Sequence, residues 1–386
     1  MSLEIIIGAD VVPTASNLGA FQTEQPNLLF NGLDEIWRKA DARIFNLESP
    51  LTDSATQAQK CGPSLSAPVA AAAGIEALNP TAVCLCNNHS MDYGAEGLLS
   101  TRAALKAKHI ACFGAGEDID EADAAYFFVK HGVRVGVYAV CEHEFSIATE
   151  RQAGANPLDL VNLSDRVREI KANCDRLVVL YHGGREGYQY PSPDVQKVCR
   201  KMAECGASLV VCQHSHCVGS SERWNGATIV YGQGNFIFDV DDGGEGFDTG
   251  LLVRYSIGDY GADSVDFLPI VRAKGGAALA DETKAAEIME GFNKRSLRIR
   301  VEGFVPARYA AYAAGEKEKL FSVFLSGNAM LRTLKRLTGR RPTRLYSQQS
   351  RTNILNTLRC ESIRELIVEG LRQDVAAPRA KKLRLI

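Results

Sequence analysis

Residues 177–218 read LVVLYHGGREGYQYPSPDVQKVCRKMAECGASLVVCQHSHCV, and their order decides the fold. The unbroken apolar run Leu177–Tyr181 has the length and β-branched content of a buried strand. A glycine-rich polar segment follows. Pro193–Cys205 then carries apolar residues three and four apart, the spacing of a helix with one buried face. A second apolar run, Leu209–Cys212, closes the unit. Strand, helix, strand in this order argues for a layered α/β domain. The strand ends carry His182, His214 and His216. At spacing two, the last pair of imidazoles in an extended segment points the same way. Neutral imidazoles on one side suit a metal ion of intermediate softness.

The same alternation runs outward. Further strands are expected at Leu3–Ile7, Ala42–Phe45, Ala82–Cys86, Ala111–Phe113, Tyr126–Lys130, Arg134–Ala139 and Thr228–Tyr231, with helices at Gly97–Lys108 and Leu163–Asn173. His131-Gly132-Val133 separates two of these runs as a hairpin would, and Leu251–Ile257 with Val265–Val271 forms a second such pair. The sheet content is therefore mixed, with antiparallel strands among the crossovers. Composition shifts near Lys274–Ala280. Beyond it, Leu320, Phe324, Leu331 and Leu334 fall on one helical stripe and Ile363, Ile367 and Leu371 on another. This divides the chain into an α/β domain at 1–275 and a helical region at 281–386. Between Leu331 and Arg351 there are seven Lys/Arg and no acidic residue.

The chain has 386 residues and a net charge of −2, so the whole molecule is not built to hold nucleic acid. The opening MSLEIIIGADVVP lacks a basic region and a cleavage site and reads as a first strand. No apolar run is long enough for a transmembrane helix. Eleven cysteines, an odd number placed mostly inside apolar runs, fit free buried thiols and a cytoplasmic location. Cys199, Cys205, Cys212 and Cys217 lack the C-x2-C spacing of a zinc site. A phosphate-binding P-loop and a GxSxG elbow are both absent.

Five polar clusters follow apolar runs. Asp10, in Gly8-Ala9-Asp10, ends the first strand, where open α/β sheets bind ligands; a turn or capping Asp is the simpler alternative. Glu48, in Asn46-Leu47-Glu48-Ser49-Pro50, ends the second, or is an exposed loop acid. In Asn87-Asn88-His89-Ser90-Met91-Asp92, Asn88 offers a carbonyl oxygen to a cation. His89 is placed to donate a proton and Asp92 to orient it. In His182-Gly183-Gly184-Arg185-Glu186, Arg185 is suited to clamp an anion. The fifth cluster joins His214 and His216 to Gly232-Gln233-Gly234-Asn235, whose glycines permit tight backbone. Arg185, Glu186 and Asn235 form the expected substrate-binding set.

In this order, GAD, NLESPLT, NNHSMDYG, HGGREGY, HSHCV and YGQGNFIFD resemble the CapA family of bacterial capsule synthesis proteins, tied to poly-γ-glutamate and polysaccharide capsules and similar to the calcineurin-like metallophosphoesterases. The resemblance spans about residues 3–272. It implies a two-sheet α/β sandwich flanked by helices. It further implies Asp10 and Glu48 as metal ligands, with Asn88, His182 and His214 on one ion and His216 on the other, and His89 as general acid. Mixed His, Asn and carboxylate ligands suit one or two divalent transition metal ions, Mn, Fe or Zn. Two features depart from the superfamily pattern. Asp10 is followed by Val11 and Val12 where an Asp-x-His is usual, and Glu48 stands for the usual bridging Asp.

Together with these residues, the resemblance implies a metal-dependent, phosphoesterase-like hydrolase acting in capsule polymer biosynthesis or processing, on a small molecule or polymer that bears phosphate or carboxylate. The alternative is a non-catalytic capsule-assembly protein whose basic segment meets an anionic polymer or a capsule synthase.

Overall fold

The computed structural model describes residues 3–60, 62–240, 246–258, 263–321 and 346–359, and the single positions Thr333, Ile363, Ile367, Val368 and Leu371. The first strands in chain order are β1 Leu3–Val12, β2 Ala42–Leu47, β3 Ala82–Cys84, β4 Ala111–Phe113, β5 Ala115–Gly116, β6 Tyr126–Lys130, β7 Val133–Cys141 and β8 Gly154–Ala155. They continue with β9 Arg176–His182, β10 Leu209–Gln213, β11 Ser221–Trp224, β12 Ala227–Tyr231, β13 Asn235–Phe238, β14 Thr249–Ile257, β15 Ser264–Ala273 and β16 Gly276–Leu279.

Among the described residues, these strands make an eight-stranded sheet, a six-stranded sheet and the small pair β5–β8. The large sheet runs β16-β15-β14-β1-β2-β3-β4, with β13 also pairing β1; the second runs β11-β12-β10-β9-β7-β6. Strands β1 to β4 are mutually parallel, as are β7, β9, β10 and β12, while β14, β15 and β16 are antiparallel.

Side-chain alternation explains why the strands read as continuous apolar runs. Ile5 and Ile7 of β1 and Ile44 of β2 face a central core, where they meet Val137 of β7, Val178 and Leu180 of β9 and Val211 of β10. Ile6 and Phe45 point the other way, into a core with Phe30 and Trp37 from short helices and Leu98 from helix Gly94–Ala107. On the second sheet, Val179 and Val210 pack against Val167 of helix Leu163–Ala172 and Cys199 and Met202 of helix Pro193–Glu204. Both sheets are thus buried on both faces. The architecture is the expected two-sheet α/β sandwich with outer helices.

Several boundaries differ from the sequence reading. β1 runs on to Val12 because β13, which alternation did not reveal, gives it a parallel partner after β14 leaves at Ile7. β3 stops at Cys84, two residues early. The His131-Gly132 turn has positive φ at both residues (49° and 79°), the geometry that suits the twist of a two-residue hairpin. The nine described cysteines are all free.

The chain forms two compact units, Met1–Pro306 and Ala307–Ile386. Helix Glu282–Arg298, placed by the sequence reading in the C-terminal region, packs within the first unit: Phe292 is buried and meets Phe267 of β15 edge-on at 4.7 Å. In the second unit, Leu320, Ile367 and Leu371 are exposed. Phe324, Leu331, Leu334 and all but Arg351 of the basic residues of 332–351 lie outside the described residues. No described helix is long and apolar enough to cross a membrane.

One turn positions the site. Gly234 has φ +74°, and a Cβ there would stand 2.3 Å from the Thr249 carbonyl oxygen. Gly234→Ala is therefore expected to cost about 1–3 kcal/mol, since it adds a clash to a left-handed backbone. Urea denaturation measures it, and an unchanged midpoint would refute the argument.

Candidate metal centre

Asp10 reaches the site because β1 breaks register. Its pairing with β2 shifts between Ile7 and Asp10, and its pairing with β13 shifts between Asp10 and Val11. The fully buried carboxylate lies between Asn46 of β2 and Asn235 of β13 in the sheet. Asn46 Nδ2 donates to Asp10 Oδ1 at 2.7 Å, and the His214 backbone N–H donates to Oδ2 at 3.3 Å. Asn46 is itself held by Asn87, whose Nδ2 donates to Asn46 Oδ1 at 3.0 Å and to the Leu47 carbonyl at 2.8 Å.

Glu48 follows β2 directly and is fully buried, yet neither carboxylate oxygen has a hydrogen-bond partner. Burial, and then the neighbouring Asp10 charge, push its carboxyl up to about 8. His182 Nε2 lies 3.2 Å from Glu48 Oε1 and 3.0 Å from Asn88 Oδ1. Oxygens and nitrogen converge so closely that a proton or a cation has to sit among them.

The remaining imidazoles leave the end of β10. His214 is buried, its Nδ1 has no partner, and its ring centroid lies 4.9 Å from that of His182. Burial holds both rings below the usual histidine value, and for His214 the neighbouring imidazoles add to the effect. Neutral rings are the ligating form. His214 and His216 both have positive φ, 83° and 50°. Left-handed backbone at two histidines is strain of the kind that concentrates at functional sites.

Among the described residues, two groups can each bring one ligand atom apiece to within 4.8 Å of one another: Glu48 with His182 and His214, and Asp10 with Glu48 and His216. Glu48 belongs to both. The orphaned carboxylate and the lone Nδ1 of His214 are what a cation would satisfy, and the mixed oxygen and nitrogen donors fit a divalent metal.

His89 is buried and belongs to neither group. Its backbone N–H donates to Asn87 Oδ1 at 3.0 Å, and its Nδ1 lies 2.7 Å from Asp92 Oδ2. Asp92 is fully buried and also accepts from the Leu65 N–H at 2.6 Å and from Lys60 Nζ. With Nδ1–H donated to Asp92, Nε2 is the nitrogen left for other work.

The other expected site residues have different places. Arg185 is half-buried and Glu186 exposed in the loop after β9, and the Gly187 N–H donates to the Ser215 carbonyl at 2.9 Å, tying that loop to the two histidines. Asn235, expected among substrate-binding residues, is turned inward. Its Oδ1 meets His216 Nδ1 at 2.9 Å and its Nδ2 donates to the Phe247 carbonyl at 3.0 Å. Both ends of the amide are engaged, so Asn235 orients His216, whose Nδ1 also lies 3.6 Å from Asp10 Oδ2 while Nε2 faces Glu48 Oε2 at 3.9 Å.

Several residues escape a reading of the sequence alone. Lys60 lies in a loop without periodicity, and only a buried acid would have called for it. Asn46 and Asn87 are each the polar residue closing an apolar run, a signal present but not separated from its neighbours. Glu142 accepts from the Tyr181 hydroxyl at 2.8 Å and the Gly184 N–H at 3.0 Å, bracing the glycine loop.

A capsule biosynthesis protein, CapA, from Bacillus anthracis is 32% identical over 196 residues, 49% of this chain and 47% of that protein. The chain thus spans about half the length of that relative. A PGA biosynthesis protein, also CapA, from Bacillus subtilis strain 168 is 28% identical over 273 residues, 69% of each chain. Among solved structures, a 5'-nucleotidase precursor from Thermus thermophilus aligns with a TM-score of 0.43 and 15% identity, covering 76% of this chain and 59% of that one. The model of the bacterial capsule synthesis protein PGA_cap matches residues 5–240, a span that takes in every residue of both metal-capable groups. With most of its length inside that match, this chain belongs to the PGA_cap family of bacterial capsule synthesis proteins.

Proposed function

We propose that the chain is a metal-dependent hydrolase, phosphoesterase-like in its chemistry, that acts on a phosphate- or carboxylate-bearing compound in capsule polymer synthesis. The observation that carries this is the buried, unpartnered Glu48 carboxylate shared by two sets of imidazole and carboxylate donors. Asp10, Glu48, Asn88, His182, His214 and His216 would hold one or two divalent ions, manganese, iron or zinc. A bound cation would supply charge that polarises a phosphoryl or carbonyl oxygen.

The chain's own groups do the rest. Asp92, fixed by Lys60 and the Leu65 N–H, holds the Nδ1 side of His89. As an imidazolium, with Nδ1–H held by Asp92, His89 would deliver its Nε2 proton to the departing oxygen. Arg185, on the loop joined to Ser215, would meet an anionic group of the substrate. Asn46 and Asn235 keep Asp10 and His216 from turning away.

Manganese-loaded protein is expected to hydrolyse a generic aryl phosphate, and His89→Ala to lower kcat by about 10²–10⁴-fold, the usual worth of a positioned acid. The melting temperature of the variant should stay close to that of the unaltered protein. No turnover of phosphoester, ester or amide by metal-loaded protein would end this reading.

A further inference from the structure

We propose that Arg295 is a positioning residue of the metal centre, and that helix Glu282–Arg298 is a working part of that centre. The inference rests on the metal reading above. The helix lies beyond residues 5–240, so the family match does not include it.

The two histidines hold left-handed backbone, which persists only where the surroundings over-determine it. The segment after His216 is gripped from two sides. On the sheet side, the Gly219 N–H donates to the Gly232 carbonyl at 3.0 Å, and the Tyr231 N–H to the Ser220 carbonyl at 2.7 Å. On the other side the grip comes from the helix. Arg295 Nε donates to the Gly219 carbonyl at 2.7 Å and Nη2 to the Val218 carbonyl at 2.9 Å. Next to it on the helix, Ser296 Oγ accepts from the Ser221 N–H at 2.8 Å.

Among the described residues no carboxylate forms an ion pair with Arg295. Its half-buried guanidinium donates to backbone carbonyls, and burial draws it below the usual arginine value. A partly desolvated charge without a counter-ion is costly, and a planar fork on two successive carbonyls is a means of fixing geometry. The clamp begins two residues after His216. It bears on the position formed by Asp10, Glu48 and His216. The position formed by Glu48, His182 and His214 is held instead by strand ends and Asn88.

Calorimetric titration of chelator-treated full-length protein with Mn²⁺ tests this. The unaltered protein should bind two ions. The position of Glu48, His182 and His214 offers two imidazoles against one and should hold the tighter ion; Arg295→Met should leave that ion within about 2-fold and weaken the second, at Asp10, Glu48 and His216, by about 10–100-fold, as loss of a group supporting a ligand does. Arg295→Lys, able to reach a carbonyl without the fork, should recover part of the second affinity. Equal binding of both ions by Arg295→Met would overturn the proposal, and so would equal weakening of both. If Arg295→Met does not fold, Arg295→Lys decides: a weaker second ion supports the clamp and unchanged affinity overturns it. An unaltered protein that binds one ion leaves no second position to support and also overturns it. One that binds none removes the metal reading itself and the clamp with it.

Discussion

The unaltered chain is expected to purify with a divalent metal, and replacing His214 and His216 together by alanine to yield protein that purifies without it. Removing a group that merely supports a metal ligand already costs about 10–100-fold in affinity, and removing two ligands should exceed that. Each of the two metal-capable groups loses its β10-derived imidazole, since His214 serves one and His216 the other. Glu48 would keep His182 as its neighbour, and Asp10 would keep Asn46. Elemental analysis of both proteins after dialysis, with circular dichroism to show the same secondary structure, checks the expectation. Equal metal content in the two would place the cation elsewhere, and the metal reading of residues 10, 48, 182, 214 and 216 would fall.

The second large effect concerns Glu48 and pH. Without a cation, folded protein keeps a proton on Glu48 up to about pH 8, whereas the ordinary value is 4.5. Stability from this group is complete below pH 4.5 and is lost as pH rises towards 8. His182 and His214 work in the opposite sense. Their folded values lie below 6.5, so their contribution is present above 6.5 and is lost as pH falls. Above about pH 7.5 those two are neutral in folded and unfolded chains alike; between 6.5 and 7.5 the unfolded chain still sheds their protons, which offsets part of the Glu48 loss. Between about pH 6.5 and 8, chelated protein should lose about 1 kcal/mol net. Glu48→Gln should remove that slope, and saturating Mn²⁺ should remove it in the unaltered protein, because a cation fixes the carboxylate as charged. Urea denaturation between about pH 6.5 and 8 in the presence of a chelator measures it. Parallel stability profiles for Glu48→Gln and the unaltered chelated chain would show that Glu48 is not the buried acid described.

The layered fold was legible because strands such as Leu177–Tyr181 and Leu209–Cys212 are buried on both faces and so read as unbroken apolar runs. The ligand candidates were legible for a related reason. Each is the first strongly polar group after such a run, or the next one or two. What the sequence hid was pairing. β13 and β11 are four-residue strands with glycine or loop nearby, and their partners β1 and β12 define them more than their own composition does. Asn235 was legible as a site residue from its place beside glycines, while the His216 Nδ1 that meets its Oδ1 was not. Helix Glu282–Arg298 shows its apolar stripe plainly, but nothing in that stripe says that it packs on β15, or that Arg295 reaches the histidine loop. Lys60 was invisible altogether, since its burial follows from Asp92, far along the chain.

The donors around Glu48 come from the two halves of the sandwich. Asp10 lies in β1, Glu48 directly after β2 and Asn88 in the loop after β3, while His182 ends β9 and His214 and His216 follow β10. During synthesis the ribosome therefore releases every candidate oxygen donor well before the first candidate ligand imidazole, His182. A nascent chain that has reached only β4 owns half a coordination shell and nothing to complete it. If the centre holds a cation as proposed, its capture would wait until the last histidine has emerged and the halves have closed, and loading would be a late event in biogenesis.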